Sequence, residues 1–495
     1  MIRKVLIANR GEIAVRIIRT LRDMGKESVA VYSEADRCAR HVRLADEAVF
    51  LGPPPAAMSY LRMDKILEAA KRTGADAVHP GYGFLSENAD FAARCAKEGL
   101  TFIGPPPEAI HAMGEKTRAR KLMAAAGVPV VPGTLAPLAS AEEALREAAK
   151  AGYPVMLKAA AGGGGKGMRL VHSERDLPGA LRDAASEAQA SFGDRAVYLE
   201  KAIVNPRHVE MQILADAHGH CVWLGERECS IQRRHQKVIE EAPSPLATPE
   251  MRRAMGEVAV RAAQAVGYVN AGTVEFLADN DRNFYFMEMN TRLQVEHPVT
   301  EAVTGLDLVR EQLLVAEGHP LSLRQEELTL RGWAIEARIY AEDPALGFLP
   351  CPGKVAAVRL PEGPGVRVDA AVFGGGEISS FYDPMVAKVV CWGRDRASAA
   401  AVMRRALEEF QIVGPETNRH FLQHLVGHPD FLAGRLDTGF IARFLEEERL
   451  HPPAPHPVAD IAAAISAYES SRRGAPQEPA GTEISAWRRA LEEGG

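Results

Sequence analysis

A chain of 495 residues exceeds what one hydrophobic core supports, and its length alone points to roughly three domains. Its 46% hydrophobic and 25% charged residues are those of a soluble globular protein, and a formal net charge of −6 leaves no electrostatic footprint for nucleic acid or an anionic membrane. Six cysteines without a CxxC pair indicate neither a zinc site nor a disulfide framework, charges interrupt every apolar run of the N-terminal "MIRKVLIANRGEIAVRI", and no window approaches a membrane span, so a cytoplasmic multi-domain α/β protein is expected.

"KVLIA" reads as a buried strand, "GEIAVRIIRTLRDMG" as a helix ending at Gly25, and "ESVAVYS" as a second strand. Strand, helix and strand at this spacing make a βαβ unit and imply a parallel sheet. The pattern continues through "YLRMDKILEAAKRTGADAVHPG" and the helix "SENADFAARCAKEG", so residues 1–114 are expected to form a doubly wound domain. Its first turn, "ANRGEIA", lacks the GxGxxG of a dinucleotide fold, which argues against a nicotinamide oxidoreductase. A second domain is expected over 115–330. Within it "SAEEALREAAKAGYPVMLKAAAGGGGKGMRLV" gives a helix and two strands joined by a glycine run, the makings of a hinged lid at about 130–204. A third region, 331–446, is rich in Gly and Pro with short β-like runs ("WAIEARIYA", "KVAAVRL", "VAKVVCWG") and the helix "SAAAVMRRALEEF". From 447 a proline-rich linker ("HPPAPHPVAD") leads to a helical tail.

Three stretches carry chemistry. Between two β-like runs lies "GGGGKG", where glycines let backbone N–H groups approach phosphate oxygens and Lys166 adds charge, with Lys158 on the incoming strand. The spacing is not GxxxxGK[ST], so this is no P-loop, and a flexible linker remains the alternative. The second stretch, "FMEMNTRLQVEHPV", alternates polar and apolar residues, which on a strand puts Glu288 and Asn290 on one face. With Glu275 from "AGTVEFLA" they offer hard oxygen ligands for Mg²⁺. Aromatic and apolar neighbours weigh against the plainer reading, a solvated strand face. Arg292, Gln294 and Glu296 then supply donors and a carboxylate able to grip a small oxyanion and remove its proton. Pro298 follows closely, so the strand is not expected to stay regular as far as Glu296. The third stretch, "ERECSIQRRHQKVIEEAPSP", gathers Gln232, Arg233, Arg234, His235 and Lys237. A basic run is usually a solvated face, and only beside a metal and phosphate site does anion binding become the better reading.

These segments, with "HPGYGFLSEN", "NPRHVEMQ" and "EARIYAED", resemble the biotin carboxylases of the ATP-grasp superfamily over roughly residues 1–445. The resemblance implies an N-terminal doubly wound domain, a central ATP-grasp domain with a mobile lid, and a mainly β C-terminal domain. It implies that Lys116, Lys158 and the loop Gly163, Gly164, Gly165, Lys166 and Gly167 hold the ATP phosphates, and that Glu200, Lys201 and Ile203 form the hinge that reads adenine. His208, Gln232 and His235 would line the nucleotide cleft, and Glu275, Glu288 and Asn290 would bind Mg²⁺, with Mn²⁺ as a substitute. Lys237, Arg292, Gln294 and the Val295 backbone would hold bicarbonate, Glu296 would be its base, and Arg338 with Tyr82 would meet biotin.

The implied reaction joins bicarbonate to the ATP γ-phosphate as carboxyphosphate, whose breakdown delivers CO₂ to biotin. No Met-Lys-Met biotinylation site occurs, and there is no length for a carboxyltransferase. The expectation is therefore one chain of a homodimer that serves a separate biotin carboxyl carrier protein and separate carboxyltransferase subunits. An acyl-CoA carboxylase of fatty acid biosynthesis is the expected setting, and "AWRRAL" is faintly similar to the linker that follows this domain in such enzymes. The alternatives are another ATP-grasp ligase and a non-catalytic nucleotide-binding assembly subunit.

Overall fold

Val5 and Ile7 of the first strand pack into one apolar cluster while Leu6 and Ala8 pack into another, so the strand is buried on both faces as a parallel strand must be. The computed structural model describes residues 1–134, 136–159 and 168–447, apart from the side chains of Lys116, Thr117 and Phe192. Strands β1 (Lys4–Ile7), β2 (Glu27–Ser33), β3 (Glu47–Gly52), β4 (Ala77–His79) and β5 (Thr101–Phe102) form a parallel sheet in the order β3-β2-β1-β4-β5. Helix α1 (Gly11–Asp23) stops because Gly25 takes φ +65°, a left-handed conformation that favours glycine. The doubly wound domain read from the sequence is present.

A small three-stranded antiparallel sheet follows, in the order β7 (Met168–Val171), β6 (Val155–Ala159), β8 (Val197–Lys201). With the helices Ala141–Ala151 and Leu177–Phe192 it encloses a core of its own, including Val155, Leu157, Ala184 and Leu199. The loop joining β6 to β7 carries Gly163, Gly164, Gly165, Lys166 and Gly167, which lie outside the described residues, as does the tail after 447.

The scaffold of the molecule is an eight-stranded sheet. Its strands are β9 (Arg207–Ala215), β10 (Cys221–Arg233), β11 (Gln236–Ala242), β12 (Asn270–Ala278), β13 (Phe284–Asn290), β14 (Trp333–Tyr340), β15 (Val366–Ala370) and β16 (Met385–Gly393). They run in the order β13-β12-β9-β10-β11-β14-β16-β15, each pair antiparallel. The sheet does not stop near residue 330: β11 pairs with β14, Glu240 facing Glu336. Strands from the C-terminal region thus extend the sheet of the central region, and Arg338 is carried to the residues there.

The alternating stretch departs from a strand where its proline foretells. β13 ends at Asn290, residues 291–296 form a loop, and the helix His297–Thr304 begins with Pro298 in its first turn. Proline is tolerated there because the first N–H groups of a helix have no partner within it. Arg292, Gln294 and Glu296 therefore reach the site from a loop and a helix cap, not from one face of a continuous strand.

Candidate functional site

Lys237 of β11 is the centre of the site. Its Nζ lies 2.6 Å from Glu210 Oε2, 2.9 Å from Glu275 Oε1 and 2.6 Å from Glu296 Oε1. Antiparallel pairing supplies the first two partners: β9 sets Glu210 beside Glu275 of β12, whose other neighbour is Glu288 of β13. Glu275 Oε1 also accepts from Asn290 Nδ2 at 2.8 Å and Gln294 Nε2 at 2.7 Å, and its Oε2 lies 2.9 Å from His208 Nε2. Gln232 Nε2 sits 2.6 Å from the other His208 nitrogen. Glu296 Oε2 accepts from Arg338 Nη2 at 2.9 Å, and the same guanidinium nitrogen is 2.5 Å from Glu240. Arg292 donates to Asn290 Oδ1 at 2.9 Å and Glu87 Oε2 at 3.0 Å.

Lys237, Glu296, Arg338 and Glu240 are withdrawn from solvent, so their neighbours decide their charge states. Burial alone would push the Glu296 carboxyl up, but Lys237, Arg338 and Arg227 hold it well below the usual carboxylate range. Burial likewise works against the Lys237 ammonium, and Glu210, Glu275 and Glu296 keep it charged well beyond its ordinary range. Glu240 is different: burial outweighs Arg338 and pushes it up to about 7. Glu336, opposite Glu240, is raised well above the carboxylate range by burial, which keeps it neutral. The site is thus a lattice of ionised acid and base with a neutral carboxyl behind it.

On the side of the small sheet, Glu200 of β8 is ion-paired with both Lys158 of β6 and Arg120. Lys201 sends its side chain to the carbonyls of Gly152 and Tyr153, each at 2.9 Å. Its N–H and that of Ala202 bond the carbonyls of Pro132 and Pro154, and Ile203 follows, half-buried. Lys116 opens the helix Lys116–Ala125. Arg234 and His235 form the two-residue connection between β10 and β11, with φ of +49° and +67°, and His235 is exposed at its tip. The positive φ values are those of a type I′ hairpin turn, which favours Asn-Gly and here holds two larger residues. Tyr82, in the loop after β4, is half-buried with its ring 5.8 Å from Lys388 Nζ.

Several residues that organise this site do not stand out in the sequence. Arg227 is wholly buried and donates to Glu210, Gln212, Thr273, Thr300 and Gln294 at 2.5–3.1 Å. A guanidinium only donates, so Gln294 must turn its oxygen to Arg227 and its amide nitrogen into the site. Glu87, Glu210, Glu240 and Lys388 also escape a reading of the sequence. Of these, Glu210 alone has a legible signal, a carboxylate between the apolar Val209 and Met211 of "NPRHVEMQ".

Comparison with known proteins finds likeness along most of the chain. The family described as Biotin carboxylase, N-terminal domain matches residues 1–110, that described as Carbamoyl-phosphate synthase L chain, ATP binding domain matches 115–324, and that described as Biotin carboxylase C-terminal domain matches 336–443. A biotin carboxylase of Halalkalibacterium halodurans is 54% identical, over 90% of this chain and 98% of the relative. A pyruvate carboxylase subunit of Methanothermobacter thermautotrophicus is 50% identical over 96% of this chain and 100% of the relative. The alpha subunit of mitochondrial methylcrotonoyl-CoA carboxylase from Dictyostelium discoideum is 53% identical over 94% of this chain, which spans only 66% of that longer protein. Among solved structures, a biotin carboxylase–β,γ-ATP complex from Campylobacter jejuni superposes with TM-score 0.84 at 48% identity, covering 90% of this chain and 99% of that one. The biotin carboxylase domain dimer of Hydrogenobacter thermophilus 2-oxoglutarate carboxylase, with MgADP, ADP and bicarbonate, superposes with TM-score 0.83 at 47% identity, covering 90% and 98%.

Proposed function

The chain belongs to the biotin carboxylase family of ATP-dependent ligases, and from that premise we propose how its own residues activate bicarbonate and carboxylate a carrier-bound biotin. The observation that carries the reading is Glu296, gripped on one oxygen by Lys237 and on the other by Arg338. An anion entering between Lys237, Arg292, Gln294 and the Val295 backbone draws on the same cations. It thereby raises the proton affinity of Glu296 just as a proton must leave bicarbonate. The deprotonated oxygen attacks the ATP γ-phosphate to give carboxyphosphate and ADP, a transfer governed by positioning and charge stabilisation. Lys116, Lys158 and the glycine loop 163–167 hold the phosphates. Glu200, Lys201 and Ile203 carry the adenine, while His208, Gln232 and His235 line the cleft.

Glu275 and Glu288 stand opposite each other on neighbouring strands. Two carboxylates on neighbouring strands, with the amide oxygen of Asn290, are hard oxygen donors of the kind that suit Mg²⁺ or Mn²⁺. When bound, the metal offsets charge on the transferring phosphoryl group. Breakdown of carboxyphosphate releases CO₂ beside biotin and phosphate that takes the biotin N1′ proton. Arg338, already drawn between Glu240 and Glu296, then stabilises the ureido oxygen as it becomes anionic, and Tyr82, whose ring is 5.8 Å from Lys388 Nζ, is the second residue assigned to biotin.

The proposed partners are a biotin carboxyl carrier protein, carboxyltransferase subunits and a second copy of this chain. Relatives named as subunits and a neighbour described as a domain dimer support that setting. Relatives named for methylcrotonoyl-CoA, propionyl-CoA and pyruvate leave fatty acid biosynthesis as one of several destinations, chosen by the transferase. The cytoplasm is the proposed compartment. Among the described residues no helix is long and apolar enough to cross a membrane. The test is ATP turnover with bicarbonate, with and without free biotin. Turnover that requires bicarbonate and rises with biotin is expected. ATP cleavage indifferent to both would point to another ATP-grasp ligase, and none at all to a nucleotide-binding assembly subunit.

A further inference from the structure

Lys388 of β16 is completely buried, yet it stands directly across the sheet from Arg338, a like charge, with Asp369 on its other side. Cations so paired destabilise a sheet unless each has its own anion or acceptor. Arg338 has Glu240 and Glu296. Lys388 has the Glu12 carboxylate of α1 at 3.2 Å and, at 2.7 Å, the backbone carbonyl of Val295. Packing does not require an ammonium there, because a methionine fills the same length.

The carbonyl of Val295 belongs to the peptide plane that ends in the N–H of Glu296. The preceding carbonyl, of Gln294, accepts from the ring of buried His297 at 2.7 Å. Neither peptide is cis. In a trans peptide N–H and C=O point to opposite sides, so Lys388 and His297 turn the N–H groups of Glu296 and Val295 away from themselves. Successive N–H groups held on one side of a turn make an anion-binding concavity. We propose that Lys388 is a positioning residue for bicarbonate: by fixing the Val295–Glu296 peptide plane it aims two backbone N–H groups at the anion and sets the carboxylate of Glu296 beside it.

The inference rests on the reading that Val295 and Glu296 face bicarbonate, and the test separates the two. In the double variant Glu12→Gln/Lys388→Met both buried charges go while the packing volume stays. The bicarbonate KM in ATP cleavage is expected to rise about tenfold or more, the loss of one hydrogen bond from a charged donor, with the ATP KM within about twofold of the parent. Should that variant fail to fold, Lys388→Gln, too short to reach Val295, carries the same expectation. Glu12, which burial pushes up to about 7, is then neutralised by taking a proton. Arg292→Ala is measured alongside. If it raises the bicarbonate KM and the Lys388 variants do not, or if they raise both KM values equally, the positioning role is overturned. If Arg292→Ala leaves the bicarbonate KM unchanged, the bicarbonate reading falls and takes this inference with it.

Discussion

Glu296 meets a demand that pulls two ways, since a base must be ionised before the reaction and must still accept a proton during it. Lys237, Arg338 and Arg227 secure the first condition, and competition from an incoming anion for those cations secures the second. Glu296→Ala should therefore depress bicarbonate-dependent ATP cleavage and biotin carboxylation together, by on the order of 10²–10³, the usual effect of losing one preorganised charged group. Near-normal ATP cleavage in that variant would remove Glu296 as the base. Arg338→Ala should mainly impair carboxylation of biotin and leave a measurable fraction of bicarbonate-dependent ATP cleavage; an equal fall in both would assign Arg338 to the first step. Two buried histidines of the first domain contribute to the loss of stability in acid. Burial pushes His41 down to about 4 and His79 down to about 3, from an ordinary value of 6.5. A depressed folded value means that the stabilisation is complete above about pH 6.5 and is lost as pH falls through 4 and then 3. Denaturant midpoints should fall over that window, and His41→Gln should flatten the upper part of the fall.

At the scale of elements, tertiary contact overrules local preference in ways a measurement can expose. Gly256 lies within the helix Pro249–Ala265, where alanine is normally favoured by up to about 1 kcal/mol. A Cβ at that position would stand 2.5 Å from the Trp223 indole of β10, so Gly256→Ala should lower the melting temperature instead of raising it. The hairpin tip offers the reverse case. His235 holds φ +67°, so His235→Gly should stabilise the fold by roughly 1 kcal/mol, read as a shift in denaturant midpoint. Alternation in "FMEMN" is legible because β13 is a true strand, and it sets Glu288 and Asn290 beside Glu275 of β12. The same periodicity carries no information past Asn290, where the chain leaves the strand for a loop that leads into the helix His297–Thr304. That Arg292, Gln294 and Glu296 nonetheless converge around Lys237 and Glu275 is readable only through the family resemblance.

On the scale of the molecule, the site exists because one sheet crosses regions that the sequence divides. β11 brings Lys237 and Glu240, β14 brings Arg338, and β16 brings Lys388. α1 ties the first domain to this sheet through Glu12, whose carboxylate lies 3.2 Å from Lys388, and to the helix His297–Thr304 through Arg16, whose Nη2 lies 2.8 Å from Glu301. Register and long-range ion pairs of this kind leave no trace in local spacing, which is why Arg227, Glu240 and Lys388 are invisible in the sequence. A chain ended at residue 330 would leave β11 as an open edge and bury Glu240 and Glu296 without Arg338. It should not show the cooperative thermal transition of the whole protein, and a cooperative transition would show that the central region folds by itself. The central claim is that bicarbonate is activated by phosphorylation, and the fate of its oxygen tests this most directly. With ¹⁸O-labelled bicarbonate and ATP in unlabelled water, each inorganic phosphate released is predicted to carry one bicarbonate oxygen; phosphate carrying oxygen from water alone would contradict the account.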